Sequence, residues 1–320
     1  MAALVNTVLG KINVDSLGKT LCHEHFVYGC PGFEGDCTLG GYNRDKALAS
    51  GLEIAEKLKK CGVKTVIDAT TNDNGRNPLL YKEISEKSGL QIICCTGYYF
   101  EGGGSPPYFR RWLGKGGEEA IYEMFMAEIT DGIAGTGIIP GVIKVASSKN
   151  IITDYEKAFF KAAVKVQKET DIPIITHTQN GTMGPEQAEL LLSEGANPAH
   201  IIIGHMCACT DIAELVKTLK YGVTLGFDQF GLDGVGAPTD EVRKASLIGL
   251  IGLGYGNRLV LSHDTVIYWM GRDSQPKPSV KTWYMTHLFD NVVPSLKNTG
   301  LTDQQINVLF DDNVKHIFAG

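Results

Sequence analysis

Six side chains with the chemistry of a metal site occur along the chain in a characteristic order: a His-X-His pair, a lysine, two single histidines and an aspartate. They are His23 and His25 in TLCHEHF, Lys144 in GVIKVAS, His177 in IPIITHTQ, His205 in IIIGHM and Asp264 in RLVLSHD. Imidazole and carboxylate groups are common ligands of zinc and related divalent ions. The order of the set is typical of a two-metal hydrolase on a barrel of eight strands.

Lys144 is the unusual member of this set, because an ammonium group is not a ligand and repels a cation. Its presence makes sense if the amine has captured carbon dioxide as a carbamate, an anion whose two oxygen atoms can bridge two metal ions. Taken singly, each of the six residues would more often be a packed histidine or an ion-pair partner. Their joint order favours a binuclear site over the mononuclear site of a deaminase on the same fold, since a single ion needs no bridge.

Short apolar runs alternate with helical segments and would position these side chains. We predict strands over residues 20–25, 64–69, 91–96, 139–145, 172–178, 200–205, 222–227 and 258–264. Runs such as QIICCT and HIIIGH are almost entirely apolar, which is typical of strands buried on both faces of a parallel sheet. The pattern predicts an α/β fold, a (β/α)8 TIM barrel formed as a single domain by residues 1–320. An open doubly wound sheet is the alternative, although no GxGxxG motif follows the first strand.

The segments between the strands carry the helical period. Apolar side chains repeat at helical spacing in two groups, Ile121, Phe125, Ile129 and Ile133, and Phe159, Ala162, Ala163 and Val166. Thr153 and Glu156 predict a capping box ahead of the second group. Pro185 fits the first turn of a further helix in GPEQAELLLSEG.

The barrel fold predicts where the six side chains point. Alternate residues of a strand share a face, so His23 and His25 would point into the barrel and Glu24 outward. All six would meet at the carboxyl-terminal face, where barrel active sites lie. The remaining histidines are expected at the surface or behind the site, and His263 fits either place: His200, His263, His287 and His316.

Composition limits the partners and the compartment. The net charge of −6 and the absence of a Lys/Arg cluster argue against a nucleic-acid partner. No apolar run reaches the roughly 18 residues that cross a bilayer, and the N-terminus lacks the pattern of a secretory signal. The eight cysteines include no CxxC pair. They are expected to be reduced thiols of a cytoplasmic enzyme.

The chain resembles the phosphotriesterase-like lactonases of the amidohydrolase superfamily along essentially its full length. The resemblance rests on the motifs GKTLCHEHF, GRNP, CTGYYFEGGGSPPYF, THTQNGTMGPEQA, IIIGHM, FDQFGLDG and VLSHD. It implies two divalent metal ions, the more buried one held by His23, His25 and Asp264 and the more exposed one by His177 and His205. Carboxylated Lys144 and a hydroxide would bridge them. Zinc is the default, cobalt, manganese or iron fit the same ligands, and a homodimer is implied.

The same resemblance implies a mechanism. The hydroxide would attack an ester carbonyl whose oxygen the exposed ion polarises, and Asp264 would carry the proton to the leaving alkoxide. Tyr99 in GYYF stands at the family's aromatic position near the metals, with Tyr98 as its competitor, because neighbours in an extended chain point oppositely. Acyl-homoserine lactones and other γ- or δ-lactones are the implied substrates, for quorum quenching or for ordinary catabolism, with promiscuous hydrolysis of organophosphate triesters.

The two last loops bear on the substrate. The loop after the seventh strand, DQFGLDGVGAPTD, is short and the loop over residues 265–281 is long, which resembles the lactonases more than the dedicated phosphotriesterases. Trp269 and Met270 are expected to form an apolar acyl-chain pocket. Gln229 stands where close members often carry Arg, and it keeps hydrogen-bonding capacity without the fixed charge. A dedicated phosphotriesterase is the alternative function. A non-catalytic ligand-binding barrel is a further one, which the complete ligand set argues against.

Overall fold

A parallel sheet that curls into a barrel is the centre of the fold. The computed structural model describes residues 3–104, 108–234 and 237–320. A hairpin of β1 (Leu4–Thr7) and β2 (Gly10–Asn13) precedes the barrel. The eight barrel strands are β3 (Thr20–Tyr28), β4 (Thr65–Asp68), β5 (Gln91–Gly97), β6 (Val142–Ser147), β7 (Ile174–Thr178), β8 (Ile201–Ile203), β9 (Thr224–Phe227) and β10 (Leu259–Leu261). Each barrel strand pairs in parallel with the next.

The barrel closes where its first strand meets its last. The amide of Asp264 donates to the carbonyl of His23 at 3.1 Å, and the amide of His25 donates to the carbonyl of Thr265 at 2.9 Å. After Asp264 the chain continues as β11 (Val266–Trp269), which pairs in parallel with β3. The fold is therefore the predicted (β/α)8 barrel, and the open doubly wound alternative is wrong.

Helices follow the strands and cover the outside of the barrel. Those after β3 to β9 are α1 (Arg44–Lys60), α2 (Pro78–Ser88), α3 (Gly117–Thr130), α4 (Asp154–Thr170), α5 (Gly184–Ser193), α6 (Ile212–Leu219) and α7 (Asp240–Gly252). The chain ends with α8 (Val293–Asn298), α9 (Asp303–Phe310) and α10 (Asp312–Ala319). No helix in the described ranges is long and apolar enough to cross a membrane.

Local sequence signals account for most helix boundaries. The capping box is confirmed: Thr153 Oγ1 accepts from the Glu156 amide at 3.2 Å, and Glu156 Oε2 accepts from the Thr153 amide at 2.8 Å. Pro185 lies in the first turn of α5, as predicted. The extension of the first helical pattern to Ile133 is wrong, because Gly132 adopts φ +93° and ends the helix before it.

Strand ends depart from prediction where the backbone cannot pair. The fourth predicted strand begins only at Val142, since Pro140 has no N–H to donate to a sheet. The sixth and eighth end at Ile203 and Leu261, before His205 and Asp264. These two residues adopt left-handed backbone conformations, with φ +60° and +57°, which a continuous strand cannot contain.

Apolar side chains fill the barrel beneath its carboxyl-terminal face. Ile93, Val142, Ile175, Ile202 and Val260 belong to one buried cluster drawn from the strands. Val142 and Ile175 stand two residues before Lys144 and His177, so they occupy the layer directly below them. The polar residues above therefore stand on a packed floor.

Candidate metal centre

The structure brings all six sequence-predicted ligands to one cavity. His23, His25, Lys144, His177, His205 and Asp264 all line a cavity of 320 Å³. Four of them lie on strands β3, β6 and β7, while His205 and Asp264 stand just beyond the ends of β8 and β10. The shared location at the strand ends agrees with the usual place of a barrel active site.

His23, His25 and Asp264 form a group of three donors that could hold one ion. Asp264 Oδ1 lies 2.9 Å from His25 Nε2 and 3.7 Å from His23 Nε2. Burial alone raises the pKa of Asp264, but the charge of His205, the hydrogen bond from His25 and the charge of His23 bring it well below its usual value. Asp264 is therefore an ionised carboxylate, as a metal ligand must be.

The surroundings of His25 test whether this group suits a cation. Its Nδ1 lies 2.8 Å from Thr70 Oγ1, and that hydroxyl donates its own proton to the carbonyl of Val27 at 2.9 Å. The Thr70 oxygen must therefore accept from Nδ1–H. When the imidazole is protonated, Nε2 donates the hydrogen bond that lowers the pKa of Asp264; when it is neutral, Nε2 presents a lone pair to the Asp264 carboxylate. Two lone pairs at 2.9 Å require a proton or a cation between them, so the donor set fits a divalent ion.

Asp228 is a functional residue that the sequence reasoning missed. It is completely buried. Its Oδ2 lies 3.0 Å from His23 Nδ1, and its Oδ1 lies 3.0 Å from His205 Nδ1 and accepts from the His205 amide at 2.8 Å. Carboxylates in this position fix the tautomer of a histidine ligand and leave Nε2 free for the metal. Asp228 could have been found from the sequence, because it lies directly after β9 in the FDQFG motif.

Asp228 also belongs to a second group of three donors, with His23 and His205. Burial raises its pKa, but the charge of His205 and the hydrogen bonds from His205 and His23 lower it well below the usual value. Both of its oxygens already face imidazole nitrogens. We therefore interpret Asp228 as the support of two ligands rather than as a ligand.

Lys144 lies among the histidines with its amine buried. Its Nζ is 3.0 Å from His23 Nε2 and donates to the carbonyl of Thr176 at 3.2 Å. Within the described residues no carboxylate comes within 4.0 Å of this amine. Burial lowers the pKa of Lys144 to about 8. A neutral amine is the form that reacts with carbon dioxide, so the environment suits carboxylation.

His177 is held by neighbours that differ from those of the other histidines. Its ring lies 4.5 Å from the ring of His205 and stacks on Phe100 at 5.2 Å. Its Nε2 is 2.7 Å from Gln179 Oε1. Burial, followed by the charge of His205, lowers the pKa of His177 well below its usual value, so the ring is neutral. Gln179 would have to turn away before Nε2 could bind an ion.

The cavity wall contains three of the four predicted substrate residues. Tyr99, Gln229 and Trp269 line it, and the Tyr99 ring lies 4.9 Å from the ring of His177. Tyr98 points away and packs between Phe109 and Phe159, at ring distances of 5.3 and 5.2 Å. The side chains of Tyr98 and Tyr99 therefore point in opposite directions, as expected for neighbours in an extended segment.

Comparison with known proteins agrees with this geometry. Residues 3–318 match the phosphotriesterase family. The chain belongs to this family. A mutant of a phosphotriesterase-like lactonase from Deinococcus radiodurans is 49% identical, with a TM-score of 0.96 over 98% of this chain and 99% of that one. An organophosphorus hydrolase from the same organism is 47% identical, with a TM-score of 0.96 over 99% of both chains. An aryldialkylphosphatase from Saccharolobus solfataricus is 30% identical over 98% of this chain and 99% of its own length. The chain is thus a hydrolase.

Met270 is placed differently from the sequence expectation for this phosphotriesterase-family chain. It is 3% exposed and does not line the cavity. Its terminal methyl group lies against Gly75, where an added Cβ would meet it at 2.1 Å. Met270 therefore packs behind the wall, while Trp269 reaches the cavity and contacts Tyr28 at a ring distance of 5.3 Å.

The histidines outside the ligand set are mostly buried. Of the two places expected for these residues, the surface does not apply to His200 and His287, which are buried. Nδ1 of His200 donates to the carbonyl of Ile317 at 2.6 Å, and His287 pairs with Asp240 at 2.6 Å. His263 lies behind the site and is completely buried. His316 is exposed.

Two sequence motifs are only partly described by the structure. The motif that follows Tyr99 includes residues 105–107, and the seventh loop includes residues 235–236. Both segments lie outside the described residues.

Proposed function

We propose that this hydrolase opens lactones, with acyl-homoserine lactones and other γ- or δ-lactones as substrates, and that it hydrolyses organophosphate triesters only slowly. The observation that carries the proposal is that the six candidate metal ligands line one cavity whose wall also contains apolar side chains. Leu232, Val266, Trp269, Pro276 and Trp283 belong to this wall. Such a cavity suits a polar ring attached to an acyl chain.

The six candidate ligands would suit two divalent ions. His23, His25 and Asp264 would hold one, His177 and His205 the other, and carboxylated Lys144 would reach both. Zinc is the first expectation, and cobalt, manganese or iron suit the same ligands. When bound, the ions would supply a nucleophile at neutral pH and a Lewis acid for the carbonyl oxygen.

Asp264 would move the proton of the reaction. Its Oδ2 faces the side-chain amide of Gln229 at 3.1 Å, while its Oδ1 faces His25. The carboxylate would accept a proton from the attacking water and return it to the ring oxygen as the ester bond breaks. In a lactone this oxygen stays attached to the acyl part, so the product is a hydroxy acid.

Tyr99 would orient the substrate. It lines the cavity beside His177. Burial raises its pKa above the usual value, so the phenol keeps its proton and can donate a hydrogen bond to the lactone carbonyl. The aromatic wall above it would hold the acyl chain by apolar contact.

A dedicated phosphotriesterase is the second candidate. Organophosphate hydrolysis fits the same donors, because tetrahedral phosphorus resembles the tetrahedral intermediate of ester hydrolysis. The short seventh loop and the long eighth loop favour the lactonase, as does similarity to a protein in which organophosphate hydrolysis was engineered from a weak promiscuous lactonase template. A cytoplasmic homodimer is part of our proposal, supported by the family resemblance and by eight free cysteines. Light scattering would test the oligomeric state.

Metal removal and acyl-chain length test the proposal together. The protein is stripped with a chelator, reloaded with zinc or cobalt, and assayed on homoserine lactones with acyl chains of increasing length. We expect hydroxy-acid formation only after reloading, and a KM that falls as the chain lengthens. Undiminished hydrolysis by the stripped protein would refute the metal centre. A KM independent of chain length would refute the acyl-chain pocket.

A further inference from the structure

Glu24 is a buried carboxylate between two predicted metal ligands, and it faces away from the cavity. Its exposed fraction is 0%. Instead of pointing to solvent, it reaches the segment around Asp264. Its Oε1 accepts from Ser262 Oγ at 2.8 Å, from the His263 amide at 2.9 Å and from His263 Nδ1 at 2.6 Å. Its Oε2 accepts from the Thr265 amide at 3.0 Å and from Thr265 Oγ1 at 2.6 Å.

The two amides that Glu24 binds flank Asp264 on either side. Asp264 itself has φ +57°, a left-handed conformation that a residue with a Cβ rarely adopts unless its surroundings impose it. One carboxylate therefore fixes the backbone before and after the residue that breaks the eighth strand. Without it, two backbone N–H groups would be buried without an acceptor.

We propose that Glu24 is a positioning residue that holds the turn at Asp264 and so aims its carboxylate at the metal site. The inference rests on the proposed role of Asp264 as metal ligand and proton carrier. It gives the three residues of the His-Glu-His segment a joint role, in which His23 and His25 face the metal from inside the barrel and Glu24 secures the third ligand from outside.

The chemistry of the contact requires a carboxylate. All five of its partners are donors, and an ionised carboxylate is an acceptor only. A glutamine of the same shape would present an NH2 group to one side. In either orientation, the amide of His263 or the amide of Thr265 would then face another donor. Glu24→Gln thus removes the fixation of Asp264 with little change in volume.

Trp283, a residue of the cavity wall, also contacts the segment around Asp264. The indole N–H of Trp283 donates to the carbonyl of His263 at 3.0 Å. On the outer side, the amide of Leu288 donates to His263 Nε2 at 2.9 Å. Glu24 of β3 and Trp283 of the following loop thus both hold the backbone next to Asp264, so a shift of this segment would affect both the proposed metal site and the cavity wall.

Glu156 offers a matched control. It is a 2% exposed glutamate that accepts from Ser148 Oγ at 2.6 Å, from the Glu101 amide at 3.0 Å and from the Thr153 amide at 2.8 Å. Glu156→Gln makes the same chemical change at a comparably buried site that has no contact with Asp264. Both variants should lose thermal stability, but only Glu24→Gln should also lose metal and activity. The comparison therefore separates general destabilisation from the positioning of Asp264.

The experiment measures metal content, kcat and KM of E24Q and E156Q, and determines the crystal structure of metal-free E24Q. For E24Q we expect loss of one ion per chain and a kcat about 10- to 100-fold lower, the usual effect of removing a group that supports a metal ligand. We also expect Asp264 to leave the left-handed region. E156Q should keep its metal content and kcat.

Equal metal content and kcat in E24Q and E156Q would overturn the inference. If E24Q does not fold, Glu24→Asp keeps the charge but is one methylene shorter, and a folded E24D with wild-type kcat and an unmoved Asp264 would overturn it as well. If the wild-type protein neither binds metal nor opens lactones, the proposed function fails. The metal-free E24Q structure still tests the role of Glu24 in that case.

Discussion

The side-chain amide of Gln229 donates a hydrogen bond to Oδ2 of Asp264 at 3.1 Å. Because Oδ1 of the same carboxylate faces His25, each oxygen of Asp264 has its own partner. Gln229 occupies the position at which the family resemblance leads us to expect arginine. The contact shows that glutamine retains a hydrogen bond to this carboxylate, although it brings no positive charge.

Replacing Gln229 should therefore affect catalysis through Asp264. Gln229→Leu keeps the approximate volume and removes the donor. A hydrogen bond to a charged group contributes about 1.5–3 kcal/mol, so kcat for lactones should fall about tenfold or more. Gln229→Arg, which restores a donor, is the control and should retain more activity than the leucine variant. A leucine variant with wild-type kcat would show that the contact has no catalytic role.

Asp264→Asn tests the proton carrier. Asparagine cannot accept a proton at neutral pH, so turnover should fall by about 10²- to 10⁴-fold, the range typical of a lost general acid or base. At least one metal ion should remain bound, because Lys144 and the four histidines are unchanged. Turnover is measured by product formation and metal by elemental analysis. Turnover close to that of the wild type would remove Asp264 from this role.

Lys144→Ala tests the carbamate. The alanine variant loses the proposed bridging anion and should be inactive in ordinary buffer. A short carboxylic acid, such as propionate, fits the space left by the side chain and should restore part of the activity, while the same acid should not stimulate the wild-type enzyme. An alanine variant that is fully active without any added acid would contradict a bridging role for Lys144.

Trp269 and Met270 form a matched pair of neighbours with different surroundings. Trp269→Ala removes apolar cavity wall and should raise KM for long-chain lactones about tenfold. Met270→Ala creates a cavity behind the wall and should lower the free energy of unfolding by about 2–5 kcal/mol, with little effect on KM. Chain-length kinetics and denaturant unfolding distinguish the two effects. The reverse result would place Met270 in the substrate pocket.

The apolar runs and the order of the candidate metal ligands along the chain predicted the barrel. They also predicted that the six candidate ligands lie close together. Each strand-end residue follows a run whose burial on both faces is readable from composition, and parallel strands bring their carboxyl ends to one face. The alternation rule that separates Tyr98 from Tyr99 also separates Trp269 from Met270. Applying it to the second pair would have placed Met270 behind the wall.

The partners of the ligands could not be predicted in the same way. Asp228 binds His23 across 205 positions of sequence, and Glu24 binds Thr265 across 241. Such pairs depend on barrel closure and on the left-handed turns at His205 and Asp264, which apolar periodicity does not encode. Glu24 was expected to point outward and does leave the barrel interior, but closure of the barrel buries it against the segment that follows the eighth barrel strand.

The most direct test of the central claim compares two substrates on the metal-loaded enzyme. We would measure kcat/KM for a long-chain acyl-homoserine lactone and for paraoxon side by side. A lactonase with incidental phosphotriesterase activity predicts a kcat/KM for the lactone that is larger by several orders of magnitude. The opposite ratio would contradict it and would mean that Gln229 and the loop carrying Trp269 serve phosphotriester hydrolysis.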